Sequence, residues 1–193
     1  ILRVSIAIIL LIAILPAIAL LLFQRKLMFF PTRYNAPVKE QAGQWNVETL
    51  KYETSNGAQE AYYLSPADQS VETPPTTLWV GFHGNASVAL DWIEDEFEGL
   101  TPSPGTAFLV IDYPGYGNSQ GSPTRIGIIE NGQNAYTHLL EEYEWNTEEF
   151  SLNVFGYSMG AAAGLDFASQ QEVDQIILIA PYTSIVEMAH RTV

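Results

Sequence analysis

The 193-residue sequence contains no cysteine and few basic residues, with eight lysines and arginines against 22 aspartates and glutamates. The lack of cysteine excludes disulfide bonds and thiolate metal sites. Only Arg125 and Arg191 are basic after residue 51, and the twenty acidic residues there leave that part with a net charge of −18. Such a domain repels phosphate backbones, so the sequence argues against a nucleic-acid partner. It also contains no repeat and no cluster of metal-ligand residues.

The beginning of the chain is strongly apolar. Val4 to Phe23 is a run of twenty residues in which only Ser5 and Pro16 interrupt the isoleucine, leucine, valine, alanine and phenylalanine content. A helix of this length spans roughly 30 Å, the thickness of the hydrocarbon core of a bilayer. We therefore expect one transmembrane helix at about residues 4–23, within an N-terminal membrane anchor of residues 1–30.

The sequence does not decide whether this segment is cleaved or on which side of the membrane the domain lies. Ala17-Ile18-Ala19 resembles a signal-peptide cleavage site, but the apolar run continues past it, which favours a retained anchor over a cleaved one. Arg25, Lys26 and Arg33 follow the helix and place the folded domain in the cytoplasm by the positive-inside rule. The chain starts at Ile1 rather than Met, and charges in a preceding segment would reverse that orientation, so the side of the membrane is left undecided.

The next part of the sequence predicts a linker and a β-hairpin. Residues 31–44 contain Pro31, Pro37 and Gly43 and are interpreted as a linker, followed by a domain over residues 45–193. Ser55-Asn56-Gly57 separates two strand-like runs, and Asn-Gly in that position is a strong hairpin signal because both residues tolerate a positive φ.

Beyond the hairpin, short apolar runs alternate with helical patterns. Continuous apolar strands separated by helices predict an α/β fold with a mostly parallel sheet and helices on both faces. Strands are expected at residues 47–53, 60–64, 76–82, 106–111, 152–155 and 175–180, and helices at 89–100, 129–143 and 158–169.

The main chemical signal is Gly156-Tyr157-Ser158-Met159-Gly160, which lies between an apolar strand and a helix of small residues. A strand that turns abruptly into a helix presents the serine hydroxyl at an exposed apex, and glycine at positions 156 and 160 leaves room for that turn. The N-terminus of the helix favours developing negative charge. We therefore predict Ser158 as a nucleophile, with Gly156 and Gly160 shaping the turn.

A second Gly-x-Ser-x-Gly match shows that the motif alone is weak. Gly117-Asn118-Ser119-Gln120-Gly121 has no strand leading directly into it, and Pro123 follows at once. We interpret this segment as a loop and favour Ser158 over Ser119.

Two further segments follow predicted strands. His83-Gly84-Asn85 comes directly after Phe82, and a loop of this type supplies one of the two backbone N–H donors of an oxyanion hole, the other being that of Met159. The second donor is expected from Asn85 or Gly84, with His83 as a structural residue of the loop. Asp112 begins a loop rich in glycine and proline, and we expect it to order that loop rather than to act in catalysis.

Together these segments resemble the α/β-hydrolase superfamily, and in particular its membrane-anchored serine hydrolases of the serine-aminopeptidase-like or prolyl-oligopeptidase-like branch. The resemblance covers roughly residues 24–193. It implies hydrolysis of an ester, thioester or amide through an acyl-enzyme, without a cofactor. Its segments are Gln24–Pro31, His83–Ala86, Asp112–Gly117, Gly121–Thr124, the turn at Ser158, and Ala180–Ser184.

The sequence departs from the family pattern at its end. In that pattern the acid and the histidine of the triad follow the serine, on loops after later strands, whereas only one predicted strand follows Ser158 here. We therefore expect the acid and the histidine outside this chain, and a 193-residue fragment that is nearly inactive. His190, His138, Asp166 and Asp174 are weak substitutes.

The alternative from another functional class is a membrane-tethered binding module that keeps the fold without catalysis. The intact turn at Ser158 favours the enzyme. The expected partners are a small-molecule, lipid, acylated or peptide substrate and the lipid bilayer itself. The sequence leaves the bond type, the substrate and the oligomeric state open.

Overall fold

The computed structural model describes residues 2–91 and 103–181. The chain divides into two compact units, residues 1–30 and residues 31–193. The first unit contains helix α1, Leu2–Met28, which is rich in isoleucine, leucine and alanine and carries Arg25 and Lys26 in its last turn. Among the residues available for description, no helix meets the length and apolarity needed to cross a membrane. The predicted transmembrane anchor is thus not confirmed.

The second unit is built on one seven-stranded sheet with strand order β1-β2-β3-β5-β4-β6-β7. Pairing runs antiparallel from β1 to β2, from β2 to β3 and from β3 to β5, and parallel across the other three contacts. The strands are Gln41–Ala42 (β1), Trp45–Thr54 (β2), Gly57–Pro66 (β3), Thr77–Phe82 (β4), Thr106–Ile111 (β5), Ser151–Tyr157 (β6) and Gln175–Ile179 (β7).

The expected mostly parallel sheet is therefore corrected to a mixed sheet. Its antiparallel half comes from the hairpin, because β3 pairs with β5 through Ala61–Leu64 and reverses the direction at that point. The parallel half, β5-β4-β6-β7, brings the carboxyl ends of four strands to one edge, where ligands of α/β sheets usually bind.

The predicted hairpin is present. Strands β2 and β3 pair over their full length, and Thr54 lies opposite Gly57, so Ser55 and Asn56 form a two-residue connection. Of the Asn-Gly pair, only Gly57 has a positive φ, at 94°. The side chain of Glu130 also holds the turn, since it accepts hydrogen bonds from the N–H and the hydroxyl of Ser55 at 3.0 and 2.6 Å.

Residues 31–44, which the sequence suggests as a linker, make specific contacts with the domain. Tyr34 and Val38 pack against a buried cluster on one face of the sheet. Nη1 of Arg33 donates to the carbonyls of Gly117 and Ser119 at 2.9 and 3.0 Å. This segment therefore belongs to the folded domain.

Two helices pack together on one face of the sheet. Helix α2, Arg125–Glu142, starts at Thr124, whose hydroxyl accepts the N–H of Gly127 at 2.9 Å. Helix α3, Met159–Ala168, contacts α2 and places Phe167 against Phe82 and Tyr136, with ring centroids 5.6 Å apart in both pairs. These contacts bury the apolar side of both helices.

The opposite face holds the second core. Successive residues of a strand point to opposite faces, and one buried cluster takes Trp45, Val47, Tyr62, Leu64, Val110 and Phe155 from the strands, together with Ala89. The helix expected at residues 89–100 lies mostly outside the described residues. Helices on both faces therefore stay a prediction for this face.

Candidate active site

Ser158 lies at the junction of β6 and α3, as the sequence predicts. Its backbone has φ 53° and ψ −113°, a conformation that residues other than glycine rarely adopt. The N–H of Ser158 donates to the carbonyl of Ile179 at 2.9 Å, and its carbonyl accepts from Ala161 at 3.1 Å. The Ser158 hydroxyl makes no capping bond to α3. The residue is thus held by its backbone, and its side chain is half-buried at the turn.

The glycines on either side of Ser158 are required by close backbone contacts. A Cβ atom on Gly156 would collide with the carbonyl of Gly160, and one on Gly160 would collide with the carbonyls of Phe82 and His83. Backbone atoms cannot rotate away as a flexible side chain can. Any larger residue at either position would therefore displace α3 from the end of β4.

The loop His83-Gly84-Asn85 lies beside this junction. Phe82, the last residue of β4, pairs with Gly156 of β6, so the loop that follows β4 and the turn that follows β6 leave the sheet at the same level. A Cβ atom on Gly84 would lie only 2.8 Å from Cδ1 of Tyr157. The structure therefore brings the predicted oxyanion loop next to the residue that precedes Ser158. Met159, the other predicted donor, is the first residue of α3.

His83 is a buried structural residue of this loop. Its side chain is fully buried, and Nδ1 lies 2.7 Å from the carbonyl of Gly84, which can only accept a hydrogen bond. Burial lowers the pKa of His83 to about 4. The imidazole is therefore neutral near pH 7, with its proton on Nδ1 and an acceptor lone pair on Nε2.

Asp112 is also buried, directly after β5. Its Oδ1 accepts the N–H of Ala89 at 2.8 Å and lies 4.0 Å from Nε2 of His83. Its backbone carbonyl accepts Nδ2 of Asn131, on α2, at 2.6 Å. Burial raises the pKa of Asp112 to about 7. These contacts link three segments of the chain and agree with the predicted role of Asp112 in ordering its loop.

Ser119, the serine of the second motif, lies in a loop and is completely buried. Its hydroxyl oxygen accepts the N–H of Glu60 at 3.0 Å. A Cβ atom on neighbouring Gly117 would collide with the carboxylate of Asp112. This second Gly-x-Ser-x-Gly segment is therefore packed as a structural loop against β3.

The weak triad substitutes have other partners where the structure describes them. His138 lies on α2 with its ring 5.6 Å from that of Tyr52. Asp166 forms a bidentate pair with Arg125 at 2.8 and 3.0 Å, and Asp174 accepts the hydroxyl of Ser151 at 2.6 Å. His190 lies outside the described residues.

Within residues 2–91 and 103–181, no group of three or more potential ligands could hold a metal ion.

Sequence reasoning missed the roles of two tyrosines near the site. The hydroxyl of Tyr113 donates to the carbonyl of His83, and that of Tyr116 donates to Oδ1 of Asn85, both at 2.7 Å. Both residues belong to the segment that begins at Asp112, for which the sequence predicted only that Asp112 orders the loop. The signal available was Pro114-Gly115, since proline and glycine at the centre of a turn fix the residues on either side of it.

A family profile described as the alpha/beta hydrolase fold matches residues 80–192. This chain belongs to the alpha/beta hydrolase fold family. The match begins in β4 and includes the Gly84 loop, the Asp112 segment and the Ser158 turn. The broad resemblance inferred from the sequence is thereby confirmed, whereas the membrane-anchored branch is not.

Similar curated proteins support the same family. Protein bem46 of Schizosaccharomyces pombe is 27% identical over 176 residues, which cover 86% of this chain and 56% of that protein. Alpha/beta hydrolase domain-containing protein 17B of Homo sapiens is 31% identical over 107 residues, covering 55% of this chain and 36% of that protein. The chain spans about half the length, or less, of the curated relatives it matches.

Solved structures of this fold family also superimpose on the chain. An esterase of Pyrococcus furiosus gives a TM-score of 0.62 at 16% identity, covering 86% of this chain and 60% of the esterase. A peroxisomal alpha-beta-hydrolase of Saccharomyces cerevisiae gives 0.55 at 20% identity, covering 73% and 46%. At such identities the likeness shows the fold alone.

Proposed function

We propose that this chain carries the nucleophile and the oxyanion hole of a serine hydrolase that cleaves an ester, thioester or amide bond through an acyl-enzyme on Ser158. The observation that carries the proposal is the backbone of Ser158, at φ 53° between β6 and α3. Strain of this kind persists only where surrounding structure enforces it, and it is common at catalytic residues. Membership of a hydrolase fold family supports the same reading.

In the proposed reaction Oγ of Ser158 attacks an acyl carbonyl carbon. A histidine base takes the hydroxyl proton and returns it to the leaving alcohol, thiol or amine as the carbonyl carbon releases it. Water, activated by the same base, then adds to the acyl-enzyme, and the acid product leaves as Ser158 regains its proton. The N–H groups of Met159 and of Gly84 or Asn85 stabilise the negative oxygen of both tetrahedral intermediates.

We assign the role of base to neither of the two histidines that the structure describes. His83 uses Nδ1 on the carbonyl of Gly84 and is buried beside Asp112, and His138 lies against Tyr52. The family resemblance implies a histidine on a later segment, oriented by an acid. We therefore propose that the intact protein is active and that residues 1–193 alone are nearly inactive, because a serine hydroxyl without a base is a poor nucleophile.

The test is covalent labelling of the full-length protein with a fluorophosphonate, which reacts with activated serines. Three proteins are compared in detergent, the wild type, Ser158→Ala and Ser119→Ala. Ser119→Ala is the matched control because it changes the serine of the other Gly-x-Ser-x-Gly segment. Circular dichroism checks that each variant is folded, since the Ser119 hydroxyl accepts a partly buried hydrogen bond from the N–H of Glu60.

Loss of label in Ser158→Ala alone is the expected result. Label that survives in Ser158→Ala would show that another residue reacts. A folded wild-type protein that takes no label at all would remove the main support for an activated serine and favour the tethered binding module.

The cellular location is a separate proposal that depends on the sequence alone. We propose that residues 4–23 hold the chain at a membrane, on a side that the sequence leaves open. A membrane lipid or an acylated protein is then a candidate substrate. The esterase named among the similar structures is consistent with ester hydrolysis.

A further inference from the structure

The loop after β5 holds the predicted oxyanion loop through two buried tyrosine hydroxyls. Tyr113 and Tyr116 are both completely buried. The Tyr113 hydroxyl donates to the carbonyl of His83, and the Tyr116 hydroxyl donates to Oδ1 of Asn85, each at 2.7 Å. The rings of His83 and Tyr113 are also stacked, with centroids 4.0 Å apart. The two residues on either side of Gly84 in the oxyanion loop are thus held by the same segment of the chain.

A tight turn sets the spacing of these two hydroxyls. Tyr113 and Tyr116 are its first and last residues, since the N–H of Tyr116 donates to the carbonyl of Tyr113 at 2.8 Å. Pro114 and Gly115 occupy the centre, and Gly115 has φ 87°, as a type II turn requires at that position. Proline restricts the turn before folding as well, so the tyrosines are held in a defined relation to each other.

The turn itself is attached to the rest of the domain. The N–H of Gly117 donates to the carbonyl of Thr32 at 2.8 Å, and Arg33 donates to the carbonyls of Gly117 and Ser119. Nδ2 of Asn131 binds the carbonyl of Asp112 on the other side. The tyrosines therefore project from a fixed support.

The oxyanion loop needs such support because it is strained. Ala86, directly after Asn85, has φ 57°, a region that alanine disfavours. Oδ1 of Asn85 accepts the N–H of Ala86 at 3.2 Å as well as the hydroxyl of Tyr116. The Asn85 side chain thus connects the strained backbone of the loop to the tyrosine turn.

We propose that Tyr116, acting through the side chain of Asn85, is a positioning residue that keeps the backbone N–H of the oxyanion loop aimed at the acyl oxygen, with Tyr113 fixing the adjoining carbonyl of His83. This inference rests on the proposed function of Ser158. Donors that are aligned before the reaction need no reorganisation in the transition state. Loss of the hydroxyl should therefore slow the chemical step and leave substrate binding largely unchanged.

The test uses Tyr116→Phe in the full-length protein, with Tyr63→Phe as the matched control. Tyr63 is equally buried, but within the described structure its hydroxyl has no hydrogen-bond partner, so its removal breaks no bond. Hydrolysis of p-nitrophenyl butyrate gives kcat and KM, and thermal unfolding gives Tm. Because removing an oxyanion donor outright costs roughly 100- to 1,000-fold in kcat, we expect a loss of about 10-fold for a donor that is only misaligned. KM should change less than about 2-fold, with Tm close to that of Tyr63→Phe.

A double-mutant cycle tests whether Tyr116 acts through Asn85. Asn85→Ala removes the Oδ1 acceptor and keeps the backbone N–H. If the two side chains act as one unit, Tyr116→Phe/Asn85→Ala should be no slower than the slower single variant. If the fold losses in kcat of the two single variants multiply in the double variant, the Tyr116 hydroxyl acts elsewhere and the proposal is overturned.

The remaining outcomes separate this proposal from the proposed function. If wild type takes the fluorophosphonate but Tyr116→Phe and Tyr63→Phe have the same kcat, the positioning role is rejected while Ser158 stays the nucleophile. The positioning role is also rejected if kcat falls only because fewer molecules are folded. In that case KM, and the kcat calculated per folded molecule, both equal the wild-type values. If the folded wild type neither labels nor hydrolyses, the function of Ser158 fails, and the positioning role fails with it.

Discussion

Ser158 illustrates at the residue scale how local sequence and distant contacts combine. Gly156 and Gly160 are close in sequence and free the turn from steric conflict. The positive φ of Ser158, in contrast, is enforced from outside, since its N–H binds the carbonyl of Ile179 on β7. The turn could be predicted from the motif, but the partner that holds it could not, because Ile179 belongs to β7, a separate strand that meets the turn only when the sheet forms.

The strain at Ser158 predicts a stability change. In Ser158→Gly the positive φ is no longer unfavourable, which stabilises the folded state. Glycine also has greater entropy in the unfolded chain, which offsets part of this gain. The net free energy of unfolding should rise by about 1 kcal/mol. Ser158→Ala keeps the strained φ and serves as the control, with a change within about 0.5 kcal/mol. Urea unfolding curves measure both. Equal stability of the two variants would contradict a strained serine.

The buried carboxyl of Asp112 predicts a pH dependence of stability. Its pKa is raised by burial from 3.8 to about 7, so between these values the unfolded carboxyl is ionised while the folded one keeps its proton. The contribution of Asp112 is therefore present below pH 3.8 and is lost as the pH rises towards 7. The Asp112→Asn variant has no carboxyl at this position and does not lose this contribution. Its free energy of unfolding, relative to that of wild type, should therefore increase from pH 4 to pH 7 and level off above pH 7.

A comparison of the two proteins isolates Asp112 from its neighbour. Burial lowers the pKa of His83 to about 4, so the contribution of His83 is lost as the pH falls from 6.5 towards 4, in the opposite direction. His83 is present in both proteins and largely cancels in the difference. Chemical denaturation at pH 4, 5, 6, 7 and 8 gives that difference, and a pH-independent value would mean that the Asp112 pKa is not raised.

At the scale of elements, the contact between α3 and the sheet decides where the Ser158 turn lies. Helix α3 is rich in alanine and glycine, a composition that predicts close approach to the sheet. The structure shows what it approaches, namely the carbonyls of Phe82 and His83 at the end of β4. The helix could be predicted from the sequence, whereas its contact depends on β4 and β6 being neighbours.

This packing predicts different costs for alanine at two glycines of α3. A Cβ atom on Gly160 collides with backbone carbonyls, so Gly160→Ala should lower the free energy of unfolding by about 3 kcal/mol or more. A Cβ atom on Gly164 lies 3.0 Å from Cγ1 of Val154, a side-chain methyl that can adjust. The higher helix propensity of alanine, about 1 kcal/mol, should offset most of that smaller cost in Gly164→Ala. Thermal and urea unfolding distinguish the two, and equal destabilisation would contradict the specific role of Gly160.

The segment of residues 31–44 makes contacts that its composition does not predict. Two prolines and a glycine indicate a linker, but Arg33 and Tyr34 fit the loop after β5 and the core of the sheet. Its two strand residues also pair with β2. Turn-forming residues mark a break in regular structure, and they do not report whether the segment packs against a surface that is distant in sequence.

At the scale of the whole molecule, charge and apolarity separate the first part of the chain from the rest. Most basic residues lie before residue 52, and the following part is strongly acidic. The first thirty residues form a compact unit distinct from residues 31–193. The membrane role of the first unit stays a prediction.

That role has a direct test. The full-length protein should remain in the membrane pellet after extraction with alkaline carbonate if the apolar run from Val4 to Phe23 holds it at the membrane as proposed. A variant lacking residues 1–30 should move to the supernatant and keep the fold of the second unit, as measured by circular dichroism. Full release of the intact protein by carbonate would contradict the anchor.

The sequence by itself determined the α/β class, the hairpin, and the strand-turn-helix around Ser158. These features depend on residues near one another in the chain, such as the glycines beside Ser158 or the turn before Gly57. Only the tertiary structure decided that β5 lies between β3 and β4, which makes the sheet mixed, and that Tyr113 and Tyr116 hold the loop of Gly84 and Asn85. Those outcomes depend on hydrogen bonds and packing between segments that are brought together only when the sheet forms.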